Sequence, residues 1–108
     1  MSALPDLFAA LGDPTRFAIV ERLLKDGEMS AGALQKGTGI SPPAVSRHLR
    51  VLRSAGILDR RADRQQRIYS VRPAAVESIC AWTMSHRKFW ESSLHRLEKA
   101  LIEEMNRK

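Results

Sequence analysis

Arginine is concentrated near the middle of the chain, in a pattern that could bind phosphate groups. The residues concerned are Arg47, Arg50, Arg53, Arg60, Arg61, Arg64, Arg67 and Arg72. The same segment contains no lysine and two acids, Asp59 and Asp63, so it carries the whole formal charge of +6. The remaining residues hold ten basic and ten acidic side chains. Charge clustered in this way predicts an electrostatic footprint for a polyanion, and a solvated basic face is the alternative.

Three of these arginines lie in the segment Ser41–Gly56, which has the pattern of an amphipathic helix. At about 100° per residue, Val45, Leu49 and Leu52 form a narrow apolar stripe. The opposite face carries Pro43, Arg47, Arg50 and Ser54. One face therefore suits a protein core, and the other suits an anionic surface.

Three helices are predicted before this segment. The first covers Leu4–Leu11, where apolar residues recur at helical spacing. The second covers residues 14–25, with Asp13 as its N-cap and a proline at its first position. The third is short and covers residues 31–36, with Ser30 as its N-cap.

A glycine-bearing turn at residues 37–40 joins the third helix to the segment 41–56. Its two glycines can adopt positive φ. Ser41 can cap the helix that follows, with Pro42 at its first position. A short helix, a tight turn and a longer amphipathic helix are typical of a helix-turn-helix, in which residues 41–56 form the recognition helix.

The hydrophobic period then changes from helical to two. The β-prone residues Ile57–Leu58 and Ile68–Val71 flank a polar stretch at residues 60–67. The pattern predicts a two-stranded hairpin, or wing, over residues 57–72 with its turn near residues 63–65. No Asn-Gly or Asp-Gly pair marks this turn, so its register stays open.

Residues 73–105 are predicted to form one long helix. Its coiled-coil-like seam consists of Trp90, Leu94, Leu97 and Leu101, spaced by four, three and four residues. The upstream part of the same side carries Val76, Ile79, Cys80 and Thr83. The first helix adds Leu4, Leu7, Phe8 and Leu11. We expect these residues to form a dimer interface; the alternative is a last helix packed entirely on its own domain.

Together, the elements predict a mainly α fold with a small β-hairpin. We expect one winged helix-turn-helix domain over residues 1–108, with five helices, that dimerises through its first and last helices. No run of eighteen apolar residues suggests a membrane span, and the N-terminus lacks the pattern of a signal peptide, so we expect a cytoplasmic protein. No nucleophile–base pair, phosphate loop or paired carboxylates indicate an enzyme.

Three motifs occur in order along the chain: Leu11–Arg16 (LGDPTR), Pro43–Leu52 (PAVSRHLRVL) and Ala55–Leu58 (AGIL). In combination they resemble the ArsR/SmtB family of bacterial winged-helix repressors. The resemblance implies a homodimer that binds a pseudo-palindromic operator in double-stranded DNA and releases it when an inducer binds. Trp82 and the run Arg87–Glu91 look like a subgroup of this family without the usual metal sites.

The outward face near the start of the recognition helix is expected to read base edges. Its candidates are Pro43, Ser46, Arg47 and Arg50. Arg47 leads, because a guanidinium can bond the O6 and N7 atoms of guanine together. Arg50 and Arg53 lie further along and are expected to meet phosphate. Ser41 has a capping role or a phosphate contact, and His48, on the flank of the apolar stripe, has a packing or phosphate role.

In the wing, Arg64 is expected at the tip and in the minor groove, where narrow A·T tracts attract arginine. Arg60, Arg61 and Arg67 are expected to contact the DNA backbone, which positions a protein without specifying sequence. Alternatively, some of these arginines pair with the two acids of the segment.

The signal that releases DNA is left open. Metal-sensing members of the family often carry cysteines in the third helix, but residues 28–34 contain none. In one continuous last helix, His95 and Glu98 share a face, whereas His86 lies on the face opposite His95. We expect no cofactor and no metal, with a weak intersubunit metal site as the alternative.

Cys80 is the only cysteine, and it serves either in packing or in an intersubunit disulfide across a symmetry axis. Trp82 and Trp90 are either core residues or the lining of a small-molecule pocket between subunits. A second class of function is also open, in which the winged helix binds an acidic protein partner through the same arginines.

Overall fold

The structure is a computed structural model that describes residues 4–107. Residues 1–3 and 108, which the predicted domain includes, lie outside the described residues. The chain divides into two compact units, Met1–Ser78 and Ile79–Lys108, where the sequence predicts one. Among the described residues, no helix is both long enough and apolar enough to cross a membrane.

The first unit contains four helices before the wing. They are α1 (Leu4–Leu11), α2 (Pro14–Asp26), α3 (Ala31–Gln35) and α4 (Pro42–Ser54). The three predicted N-caps are confirmed: Asp13 accepts from the backbone of Thr15, Ser30 from Ala33 and Ser41 from Ala44. These bonds satisfy N–H groups in the first turns that have no partner within the helix.

A three-stranded antiparallel sheet follows the order β1-β3-β2. Its strands are β1 (Met29–Ser30), β2 (Leu58–Asp63) and β3 (Gln66–Val71). The hairpin of β2 and β3 is confirmed, and its register pairs Leu58 with Val71 and Asp63 with Gln66. Strand β1 was not predicted, because two residues are too few to show a period of two. It lies on the other side of β3, where Met29 pairs with Tyr69.

The hairpin turn consists of the two residues between β2 and β3, Arg64 and Gln65. Arg64 has a φ of 61° and is the one non-glycine residue with positive φ among those described. Two-residue hairpin loops need positive φ at their first central position, because this matches the twist of the flanking strands. Arg64 meets that requirement without being glycine, which explains why the usual dipeptide signals are missing.

The core of the first unit forms around α4. The predicted apolar stripe is confirmed, since Val45, Leu49 and Leu52 retain 2%, 1% and 0% of their accessible surface. Helix α4 contacts α1, α2, α3 and β2. It is therefore held from several sides and presents its opposite face to solvent.

The prediction of one helix over residues 73–105 is wrong. The structure has α5 (Pro73–Ser85) and α6 (Arg87–Met105), which makes six helices where five were predicted. His86 separates them with a φ of −108° and a ψ of 29°, and its N–H donates to Thr83, three residues back. Neither proline nor glycine marks this break, so the continuous apolar spacing concealed it.

Replacing Leu52 with alanine is expected to lower the free energy of unfolding by about 2–5 kcal/mol, because the change leaves a cavity where α4 enters the core. Val51, the neighbouring residue, is 41% exposed. Val51→Ala should therefore change the free energy by no more than about 0.5 kcal/mol. Urea unfolding followed by circular dichroism at one protein concentration tests both variants, and equal effects would contradict this account of the core.

Candidate nucleic-acid interface

Burial of the α4 stripe turns the predicted base-reading side chains outward. The exposed residues are Pro43, Ser46, Arg47 and Arg50. Ser41 is also exposed, and its hydroxyl accepts from the N–H of Ala44 at 3.3 Å, which is the capping role. Arg53 is half-buried. The exposed face of α4 thus combines the guanidinium groups of Arg47 and Arg50 with small side chains that allow close approach to a surface.

His48 is half-buried on the flank of α4 and has a packing partner. Its Nδ1 lies 3.3 Å from Nη1 of Arg16, whose Nε donates to the carbonyl of Ala10 at 2.7 Å. Asp13 caps the same turn, and the N–H of Arg16, ahead of that of Thr15, holds the pKa of Asp13 below its ordinary value of 3.8. The stabilisation from this cap is present above that value and is lost as pH falls through the lowered pKa.

Four arginines of the wing are exposed on the hairpin: Arg60, Arg61, Arg64 and Arg67. Arg64 occupies the turn, as predicted. Two ion pairs in this segment join Arg61 to Glu28 at 2.6 Å and Arg72 to Asp59 at 3.3 Å. The second pair engages an acid of the segment, Asp59, with Arg72, which is not one of the wing arginines for which the sequence left such pairing open.

The partner of Arg61 lies outside the arginine segment, where no pairing acid was predicted. Glu28 precedes β1, and the pairing of β1 with β3 brings it to the wing. A hydrogen bond from Arg61 is the leading cause that holds the pKa of Glu28 below its ordinary value of 4.5. The same bond raises the pKa of Arg61. The pair stabilises the fold above the ordinary pKa of Glu28, and this contribution is lost as pH falls through the lowered value.

Sequence reasoning also missed how α2 supports the helix-turn-helix. The guanidinium of Arg22 donates to the carbonyls of Ala33, Leu34 and Lys36 at 3.3, 3.1 and 3.0 Å. These carbonyls lie at the C-terminal end of α3, where helix carbonyls have no intrahelical partner. Arg22 therefore holds the start of the turn in place. No local pattern around position 22 indicates such a contact, because its acceptors lie more than ten residues away.

The residues predicted for a dimer interface fall in both units. In the first unit, Leu7 is 4% exposed and belongs to the core of the single chain, because α1 packs this side chain inward. Leu4 and Leu11 are half-buried, and Phe8 and Val76 are exposed. In the second unit, Ile79 is half-buried. The exposed residues there are Cys80, Thr83, Trp90, Leu94, Leu97 and Leu101.

The second unit places an aromatic cluster around the break between α5 and α6. Trp82 meets His86 and Trp90 edge-to-face, with ring centroids 5.4 and 6.5 Å apart. Phe89 and Trp90 are 4.8 Å apart. His86 lies outside α6, so His86 and His95 do not occupy opposite faces of one helix as predicted. Within residues 4–107, no group of three or more His, Cys, Asp or Glu side chains could hold a metal ion.

Known proteins resemble this chain along most of its length. A family model described as a helix-turn-helix domain matches residues 11–61. The transcriptional repressor SdpR of Bacillus subtilis is 32% identical over 80 residues, which cover 74% of this chain and 88% of that protein. The HTH-type transcriptional regulator Rv2034 of Mycobacterium tuberculosis is 38% identical over 79% of this chain and 76% of its own length. A crystal structure of an ArsR family transcriptional regulator superimposes with a TM-score of 0.75 at 26% identity, covering 83% of this chain and 98% of that one.

Replacing Arg61 with glutamine is expected to raise the pKa of Glu28 toward 4.5, because the guanidinium hydrogen bond is the leading cause of its depression. An NMR titration of the side-chain carboxyl carbons measures this pKa. Arg60→Gln is the matched control: Arg60 pairs across the ladder with Tyr69, on the other face of the sheet from Arg61. An unchanged pKa of Glu28 in Arg61→Gln would show that the ion pair is absent in solution.

Proposed function

Since the chain belongs to the ArsR family of winged helix-turn-helix transcriptional regulators, which bind DNA, we propose that it is a homodimeric repressor of a pseudo-palindromic operator. The observation that carries this proposal is the arginine segment on the outward face of α4 and on the wing. It holds the whole net charge, and among residues 4–107 ion pairs engage only two of its arginines, Arg61 and Arg72. Neutralising phosphates with such groups releases counterions and supplies affinity.

Helix α4 is proposed to enter the major groove with its exposed face. Arg47 then bonds guanine, while Pro43 and Ser46 lie close to the bases because they are small and exposed. Arg50 contacts phosphate, and Arg53 does so from a half-buried position. His48 is held by Arg16 within the protein, which supports its packing role.

The wing is proposed to place Arg64 in the minor groove beside the major groove that α4 occupies. Its positive φ makes it the tip of a tight turn, the most protruding part of a hairpin. Arg60 and Arg67 contact the backbone. Arg61 must exchange the carboxylate of Glu28 for a phosphate before it can do the same, so its contribution to affinity is smaller than that of an unpaired arginine.

The dimer is proposed to form through apolar surface that a single chain leaves exposed. On α6, Leu94, Leu97 and Leu101 are 65%, 57% and 57% exposed, and no residue of this helix is buried. Three leucines at seam spacing are costly to leave in water, and a second copy offers the same stripe. Two-fold symmetry would then present two α4 helices to half-sites about 34–36 Å apart.

The releasing signal is proposed not to be a metal. Residues 28–34 carry no cysteine to supply a thiolate. Cys80 is exposed, and an intersubunit disulfide stays a secondary hypothesis for it.

Fluorescence anisotropy with the DNA upstream of its own gene, compared with random DNA of equal length, tests the proposed function over a range of salt concentrations. We expect tighter binding to the upstream fragment and a steep loss of affinity with salt. Equal affinity for both fragments would reject sequence-specific regulation. Tight binding to an acidic protein without binding to DNA would instead favour the protein-partner alternative.

Arg47→Ala is expected to reduce discrimination between the operator and single-base variants at one guanine by about 1–3 kcal/mol, because the bidentate contact is lost. Competition titrations with a set of operator variants measure this loss. Arg64→Gly is the comparison, since glycine keeps the positive φ of the turn. It should leave discrimination at that guanine intact, and unchanged base preference in Arg47→Ala would contradict the assignment.

Leu97→Glu is expected to convert the dimer to a monomer, because it places a charge in the apolar seam. Lys99→Glu introduces the same side chain on the opposite face of α6 and should leave the dimer intact. Sedimentation velocity over a range of concentrations distinguishes the two states. A dimer that survives Leu97→Glu would place the interface elsewhere.

A further inference from the structure

Arg16 joins three helices of the first unit through one side chain. Its backbone N–H bonds the Asp13 carboxylate at the start of α2. Its Nε donates to the carbonyl of Ala10 in the last turn of α1, and its Nη1 lies 3.3 Å from Nδ1 of His48 on α4. The guanidinium of Arg16 thus connects α1, which is expected to contribute to the dimer interface, with α4, which is expected to read DNA.

This contact also determines which partner donates. A guanidinium has only donors, so in this contact Nδ1 of His48 is the acceptor.

Apolar packing alone leaves the angle between α1 and α4 weakly determined. Only Leu7 and Ala10 of α1 are buried. An open groove of about 480 Å³ separates parts of the two helices; its lining includes Ala9 of α1, Val51 and Ala55 of α4, and Arg16 itself. Apolar contact is non-directional, whereas hydrogen bonds constrain direction and distance. The two contacts of the Arg16 side chain therefore constrain the angle between α1 and α4, which the sparse apolar contact does not.

We propose that Arg16 is a positioning residue for operator recognition: by bonding Ala10 and His48 together it fixes α4 against α1, and so sets the separation of the two recognition helices in the dimer. This inference rests on the proposed function. It assigns Arg16 a role through protein contacts and not through DNA, because the Nε and Nη1 atoms of its guanidinium face acceptors on α1 and α4.

The test begins with Arg16→Lys, which keeps the charge but has one nitrogen in place of the fork that reaches both acceptors. Affinity for the upstream operator is expected to fall about tenfold, as for one charge-assisted hydrogen bond, while affinity for random DNA changes less than about twofold. Operators lengthened or shortened by one base pair between half-sites should be rejected by the wild type and tolerated better by the variant. The dimer should persist in sedimentation velocity.

A second pair of variants separates positioning from simple loss of stability. His48→Leu removes the acceptor, whereas the amide oxygen of His48→Gln can still accept from Arg16. We expect His48→Leu to lose operator preference like Arg16→Lys and His48→Gln to retain most of it. The double variant Arg16→Lys/His48→Leu should lose no more operator affinity than either single variant, because both substitutions remove the same contact between Arg16 and His48.

Three results would overturn the inference. One is an equal loss of operator and random-DNA affinity in Arg16→Lys with a smaller salt slope, which would make Arg16 a phosphate contact. Another is additive effects of the Arg16 and His48 variants. The third is an unchanged spacing preference in Arg16→Lys. If the wild type itself does not prefer the upstream fragment, the proposed function fails and this inference fails with it; a wild-type preference that Arg16→Lys retains rejects the inference alone.

Discussion

Burial of three side chains on α4 determines which face of this helix is exposed to solvent. Val45, Leu49 and Leu52 have almost no exposed surface, and α4 contacts helices and a strand on several sides. Because an α-helix is rigid, burying one stripe fixes the direction of the opposite face. Arg47 is therefore presented to solvent by the same packing that stabilises the core.

Charge is excluded from that core and collected on its surface. No polar or charged residue is buried among the described residues, which avoids the cost of desolvating an ion. Within the arginine segment, ion pairs engage Arg61 and Arg72. The positive charge is thus largely available to a polyanion, and the carboxylate of Glu28 partly neutralises it at Arg61 of the wing.

Arginine also has a structural role in the first unit, where its directional hydrogen bonds orient helices. Arg22 bonds the end of α3, and Arg16 connects the end of α1 to His48 on α4. Apolar burial brings these helices together, but hydrogen bonds to defined atoms fix their angles. The chain therefore uses one residue type for two purposes, since guanidinium groups that face protein carbonyls orient helices and those that face solvent can bind phosphate.

The sequence by itself determined the local features: the first four helices, the caps at Asp13, Ser30 and Ser41, the buried stripe, and the wing. The helices and caps follow from periodicity and from bonds between residues at most four positions apart, and the wing follows from a change of period on either side of a polar turn, so all are visible in the linear pattern. Tertiary structure alone decided β1, the break at His86, and the contacts of Arg61 with Glu28 and of Arg16 with His48. The atoms of the two contacts lie 33 and 32 residues apart, and folding brings them together through packing that no local pattern encodes.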